Sequence, residues 1–184
     1  MLKQYTGLCL LIILLACSKV TAQKVYGTNT GSIVFRSDAP LELITAHSKD
    51  MRGKLDADKK VFAFSIRINS FSGFNSALQR EHFNENYLES SQYPTASFSG
   101  KIIEDIDFSA DGTYTVRTKG NLSIHGVVQE RIIKSEVIIR KGVISIQSDF
   151  TVLLEDHNIS IPKIVHEKLA SEIKVEVKAD LTLQ

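Results

Sequence analysis

The stretch Glu172-Ile173-Lys174-Val175-Glu176-Val177-Lys178-Ala179-Asp180-Leu181-Thr182-Leu183 decides the fold. Polar side chains fall on the even numbers and apolar ones on the odd numbers, without a break. A strand sends successive side chains to opposite faces, so this segment is a strand with one wet face and one greasy face. At roughly 3.3 Å per residue it runs on the order of 40 Å, well beyond the usual five or six residues. Strands of that length suit an antiparallel barrel, polar outside and apolar inside. Such an interior is either filled by its own side chains or holds an apolar guest. The alternation leaves both open.

Working outward, Val61 to Ile68 alternates as cleanly, with Phe62, Phe64, Ile66 and Ile68 on one face. Shorter strands are expected around Ile33 and Phe35, and at Leu41, Leu43 and Thr45 against Glu42, Ile44 and Ala46. Others follow at Ala96, Phe98, Gly100 and Ile102, and at Tyr114, Val116 and Thr118. Asp111-Gly112 reads as a hairpin turn, and Lys141-Gly142 joins Arg131–Arg140 to Val143–Leu154. Two segments break the pattern. Ser76-Ala77-Leu78-Gln79 has the form of a capping box opening a helix to about Leu88, closed by Tyr93-Pro94. Lys163 to Ala170, after Pro162, is expected as a second short helix. No linker, repeat or low-complexity segment divides residues 23–184. The fold class is all-β, an antiparallel barrel or sandwich with one or two short helices.

The first 22 residues read as an export signal. Lys3 precedes an apolar run from Leu8 to Ala16, and Val20-Thr21-Ala22 forms a small-residue cleavage site before Gln23. The run is too short for a membrane span, which needs about 20 apolar residues. A periplasmic or secreted protein is expected. A rival reading takes Leu14-Leu15-Ala16-Cys17 as a lipobox, with Cys17 lipidated and the protein tethered to a membrane. Both cysteines, Cys9 and Cys17, lie in this segment, so cleavage after Ala22 leaves no disulfide, thiol nucleophile or cysteine ligand. With Lys3 and Lys19 removed, 20 basic residues face 21 acidic ones, a net charge of −1. The signs are interspersed, which gives no electrostatic footprint for nucleic acid.

Catalytic signatures are missing: the chain has no G-x-S-x-G, P-loop or dinucleotide glycine pattern. The five histidines, His47, His82, His125, His157 and His166, form no H-x-H or H-x-x-x-H pair. Glu81, Glu85 and Glu89 with His82 imitate a metal-binding helix, but read more simply as a solvated acidic face, and no metal or cofactor is expected. His125 faces away from Leu122 and Ile124, either as a hydrogen-bonding residue at a strand end or as a polar contact for a ligand head. Should the interior be an enzyme site, His125, or Arg117 with Glu136, is the place for a perturbed titrating group. Phenylalanine is abundant and tryptophan absent: Phe62, Phe64, Phe71, Phe74, Phe83, Phe98, Phe108 and Phe150 serve a packed core singly, and jointly suggest a lined cavity.

Three stretches together resemble the YceI-like family of lipid-binding, lipocalin-like bacterial proteins. They are Glu81-His82-Phe83 through Tyr87-Leu88-Glu89 to Gln92-Tyr93-Pro94 and Ala96-Ser97-Phe98; Thr115-Val116 to Gly120-Asn121-Leu122-Ser123-Ile124-His125-Gly126-Val127; and Phe150-Thr151-Val152 with Ile159, Pro162 and the final strand. Order and spacing carry the resemblance, over roughly Ile33 to Leu183. The usual tryptophan near the first strand is replaced by Val25-Tyr26-Gly27, and Ser123 stands for the usual threonine. The resemblance implies an extended barrel of about eight strands whose pore takes a long isoprenoid or similar lipid, without catalysis. A homodimer and a filled barrel serving as an envelope interaction protein stay open. On the matched strands, the apolar faces nominate Phe62, Phe64, Ile66, Ile68, Phe98, Ile102, Leu122, Ile124, Ile173, Val175 and Val177 as the cavity lining.

Overall fold

A computed structural model describes residues 23–184; the expected export segment and Cys17 lie outside them. Eight strands close into one barrel in chain order, each antiparallel to its neighbours: β1 (Val25–Asp38), β2 (Leu43–Asp56), β3 (Val61–Arg67), β4 (Thr95–Ile102), β5 (Gly112–Ile124), β6 (Val127–Arg140), β7 (Val143–Leu153) and β8 (Glu172–Leu183). β1 pairs with β8 to complete the circuit, for example Phe35 with Val175. Closure pairs every strand on both sides, although β2 meets β3 only over Arg52–Asp56 and β6 meets β7 only over Ser135–Arg140.

β1 and β2 are 14 residues each, longer than their alternation suggested. The reason is a bulge in each strand. The pairing slips between Thr28 and Gly31 of β1, and between Gly31 and Ile33, opposite Met51 and Ser48 of β2. An extra residue reverses the parity of everything beyond it. Inward positions therefore change from Tyr26 and Thr28 to Ile33, Phe35 and Ser37 along β1, and from Ala46 and Ser48 to Met51 and Leu55 along β2.

The Lys141-Gly142 turn is present, with φ of 50° and 78°. A second turn of that kind, His125-Gly126 at 51° and 73°, joins β5 to β6. Both residues of each turn sit in the left-handed region, the pattern of a type I′ hairpin. Asp111-Gly112 turns no hairpin. Residues 103–111 form a longer loop: Ile103 donates to the Arg117 carbonyl at 2.9 Å, and Glu104 accepts from the Arg117 backbone at 2.6 Å. Its Phe108 is 5% exposed, tucked under the barrel. Burying that ring sets the loop's path. Along the same β4–β5 seam, Gly100 faces Gly120 of β5, and a side chain at either would overlap the neighbouring backbone.

The two poles differ. At one, the short connections close over a floor of Tyr26, Leu55, Ala57, Phe108, Ile139, Ile144 and Leu181, all buried. At the other, two long segments, residues 68–94 and 154–171, cover the barrel. The first holds helix α1 (Ala77–His82), followed by a wide turn at Phe83–Tyr87. Ser76 caps α1, its hydroxyl accepting from the Gln79 backbone at 3.2 Å, and the Gln79 side chain accepts in return from the Asn75 backbone. The second segment contains single turns at Glu155–His157 and Lys163–Val165 in place of the expected second helix. Pro162, Lys163 and Ile164 there are exposed, and of the apolar side chains in 163–170 only Val165 and Leu169 turn to the cavity, a contact too short to hold a longer helix on the barrel. Instead the segment is tied by its backbone: Leu41 donates to the Glu167 carbonyl at 2.8 Å, and Ala170 donates to the buried Ser37 hydroxyl at 2.9 Å.

Candidate functional site: a cavity along the barrel axis

Inside the barrel lies a cavity of about 510 Å³, within the range of small-molecule sites. Its wall is apolar and comes from all eight strands. Each of the eleven positions nominated from the sequence lines it: Phe62, Phe64 and Ile66 from β3, Phe98 and Ile102 from β4, Leu122 and Ile124 from β5, and Ile173, Val175 and Val177 from β8. Ile68 lines it too, although β3 has ended at Arg67 and Ile68 begins a short turn. Not nominated were Ile33 and Phe35, read only as a short strand, Met51 beyond the β2 bulge, and the β6 and β7 residues such as Ile133 and Ile146. Many of these inward side chains, such as Ile33, Val175 and Val177, are only half-buried although they point away from bulk solvent. The space they face is hollow rather than filled.

Aromatic side chains sit at both levels. Phe62 meets Phe98 at 5.1 Å and Phe64 at 5.9 Å between centroids, within the wall. Towards the covered pole, Phe35, Phe71, Phe74 and Phe83 form a second group at 5.1–6.0 Å, in stacked, tilted and edge arrangements. This group fastens the α1 segment to the β1 wall, with each aromatic pair adding about 1 kcal/mol beyond area burial. Phe108 lies in the floor and not in the lining.

Polar groups in the lining are sorted by depth. Deep in the wall are hydroxyls such as Thr118 and the pair Ser135–Ser148, hydrogen-bonded to each other at 2.6 Å. Ionisable groups appear only at the covered pole: Glu42, His82, Tyr87 and Lys168. His82 and Lys168 are also exposed to solvent, so the cavity opens there, between the 39–42 loop, α1 and residues 165–169. Glu42 is held at this mouth by the Gln79 amide at 2.5 Å and the Asn75 amide at 3.2 Å.

The remaining sequence candidates stand elsewhere. Arg117 and Glu136 are on the outer face, Arg117 paired with Glu104 at 2.8 Å, so neither faces the cavity. Arg117 donates backbone and side-chain hydrogen bonds to the Glu104 carboxyl, and these hold it below its ordinary 4.5. Glu81, Glu85 and Glu89 do not share a face, because the wide turn after α1 breaks the register and Glu89 has φ of 42°. Among the described residues, no group of three or more His, Cys, Asp or Glu is placed to hold a metal ion. His125 stands in the turn directly beside the end of β5 and is hydrogen-bonded there, as the first of its two readings expected: Nε2 lies 2.6 Å from the Glu89 carboxylate and Nδ1 3.1 Å from the His157 carbonyl. Tyr93 packs edge-on against the His125 ring at 4.7 Å. His125 thus pins the end of the α1 segment to the β5–β6 turn.

His157 was one of five scattered histidines in the sequence, with polar neighbours and no signal of its place. It is fully buried, filling the seam where β6 and β7 diverge above the Ser135–Ser148 pair. Gln129 and Arg131 bridge the same seam, to the carbonyls of Asp156 at 2.7 Å and Thr151 at 2.9 Å. Nδ1 of His157 donates to the Val127 carbonyl at 3.2 Å, while Nε2 is buried and makes no bond of proper geometry. Burial holds its pKa below 6.5, with Arg131 adding to the effect; carbonyls and Asp156 oppose it. The folded state therefore resists protonating a ring that the unfolded chain protonates near 6.5. Stability is full above that pH and falls as pH drops below it, by at most about 1.4 kcal/mol per unit. Denaturant unfolding of the parent and of His157→Gln between roughly pH 7.5 and 5.5 checks this. The parent should lose stability relative to the variant on acidification, and parallel curves would disprove it.

No curated protein matches the chain. Solved structures do resemble it. A polyisoprenoid binding domain from Saccharophagus degradans, implicated in plant cell wall breakdown, superposes with a TM-score of 0.74 at 13% identity, over 88% of this chain and 99% of that one. BcnA of Burkholderia cenocepacia gives 0.68 at 14% identity, over 83% and 96%. The YceI protein of Campylobacter jejuni gives 0.57 at 19% identity, over 73% and 82%. Identities this low establish a common fold. Family follows from the sequence itself, because the model described as the YceI-like domain matches residues 20–182: this chain belongs to the YceI-like family.

Proposed function

We propose that the barrel binds a long apolar lipid, a polyisoprenoid or a chain of similar shape, along its axis and carries or sequesters it without chemical change. The observation that supports this most directly is the hollow of about 510 Å³, walled by half-buried Ile, Val and Phe side chains and open at one pole. Apolar surface leaving water contributes about 25 cal/mol per Å², or about 0.8 kcal/mol per methylene. A long chain threaded into such a wall gains ample affinity before ordering costs. The polyisoprenoid binding domain of Saccharophagus degradans, alike in fold, favours the same class of guest. A non-catalytic role is supported by the lining, whose ionisable groups are confined to the mouth.

Residues 1–22 are proposed to direct export to the periplasm or beyond, with cleavage after Ala22; lipidation at Cys17 is the competing fate, and the mass of the mature N-terminus decides between them. The test of binding is native mass spectrometry of the purified protein, with organic-solvent extraction of what leaves it. A released lipid, restored on adding a labelled polyprenol to the stripped protein, is the expected result. A barrel that purifies empty and refuses the polyprenol would overturn the reading.

A further inference from the structure

The mouth carries exposed apolar side chains in a regular place. On each of the three segments that bound it, a residue lining the cavity is flanked by one pointing into water: Leu41 beside Glu42, Leu78 beside Gln79, and Ile164 beside Val165. Their exposures are 66%, 57% and 91%. The three segments touch one another through the Leu41–Glu167 backbone bond and the Gln79–Glu42 side-chain bond. These apolar tips therefore stand around one opening. Other exposed apolar side chains, such as Ile103, Ile132 and Leu183, are scattered over other elements, whereas these three gather around one opening, and gathered apolar groups mark a contact surface.

We propose that this rim docks on the surface of a lipid bilayer, inserting Leu41, Leu78 and Ile164 among the lipids so that a guest passes between membrane and cavity without crossing water. The inference rests on the proposed binding role, which supplies the reason for an oily rim at the cavity's opening. A bilayer is the occupant that fits because the apolar tips continue directly into the apolar wall, so a lipid chain meets apolar contact from the rim into the cavity. Charge does not drive the docking. Arg80, Lys163 and Lys168 on these segments are outnumbered by Asp38, Glu42, Glu81, Glu85 and Glu167. Attachment should therefore be apolar, insensitive to salt and independent of anionic lipid, unlike polybasic surfaces.

Because the chain has no tryptophan, Ile164→Trp installs a single reporter at the rim. Its emission should shift to the blue on adding phosphatidylcholine vesicles and be quenched by brominated phosphatidylcholine, at low and high salt alike. Ile132→Trp, on the outer wall where Ile132 is 61% exposed, should do neither. The triple variant Leu41→Ser/Leu78→Ser/Ile164→Ser, read by vesicle flotation, should partition at least about tenfold more weakly. Three results with Ile164→Trp would each overturn the proposal: unmoved emission, a shift requiring anionic lipid, or a shift that grows with protein concentration in the absence of vesicles. The last result would assign the rim to a second copy of the chain. A co-purifying lipid alongside unmoved rim emission would refute docking alone, and a blue-shifted rim reporter on a barrel that refuses polyprenol would refute guest binding alone.

Discussion

Val177→Trp should empty the barrel of its guest while leaving it folded. Val177 pairs with Ile33 on one side and Ser148 on the other, midway along β8, and its side chain borders the hollow. An indole placed there grows into open space and not into packed neighbours, so the 1–3 kcal/mol cost usual for overpacking a core should be largely avoided. The guest must then give up the length of chain that the indole displaces. At about 0.8 kcal/mol per methylene, losing four or five of them amounts to on the order of 3–4 kcal/mol, several hundredfold in affinity. Titration with a labelled polyprenol, alongside a denaturation curve, separates the two effects. Retained affinity at full stability would mean that the guest does not run along this wall.

The hollow itself is testable without any ligand. Leu181 and Val177 lie on the same face of the same strand, four residues apart, but Leu181 is 0% exposed in the floor against Ile144, also 0%. Truncating a leucine in such a place leaves a void the surroundings cannot fill, at about 2–5 kcal/mol. For a domain of this size, total stability is only about 5–15 kcal/mol. Val177→Ala removes atoms already bordering empty space and should cost well under half as much. Denaturant midpoints of the two variants should therefore differ clearly. Equal losses would mean that the interior is packed from end to end, and the cavity with it would disappear.

What the sequence discloses follows the parity of its strands. β3 and β8 alternate without interruption, and their inward residues could be named outright; β6 and β7 could be placed as a hairpin, but runs such as Val137-Ile138-Ile139 show no face, and none of their residues was nominated. β1 and β2 could not be followed, because a bulge in each reverses the face, and a period of two carries no warning of an inserted residue. That kept Met51 out of the nominated lining, and left Ile33 and Phe35, read only as a short strand, without an assigned face. Asp111-Gly112 offered good turn chemistry, yet the chain spends nine residues there because Phe108 gains more by filling the floor than a tight turn would gain locally. The mouth was the least legible part. Its residues Glu42, Gln79 and Lys168 come from separate segments whose association depends on tertiary hydrogen bonds, and no local pattern encodes those. His157 sat in a polar run, Glu155-Asp156-His157-Asn158, that reads as surface. Its burial is dictated by the divergence of β6 from β7.

β1 enters and β8 leaves beside each other under the floor, where the Gln184 amide donates to the Val25 carbonyl at 2.9 Å. Whatever is attached at Gln184 departs from the pole opposite the opening. A molecule immobilised on a bead or sensor chip through such an attachment would hold its aperture outward, towards the flowing sample.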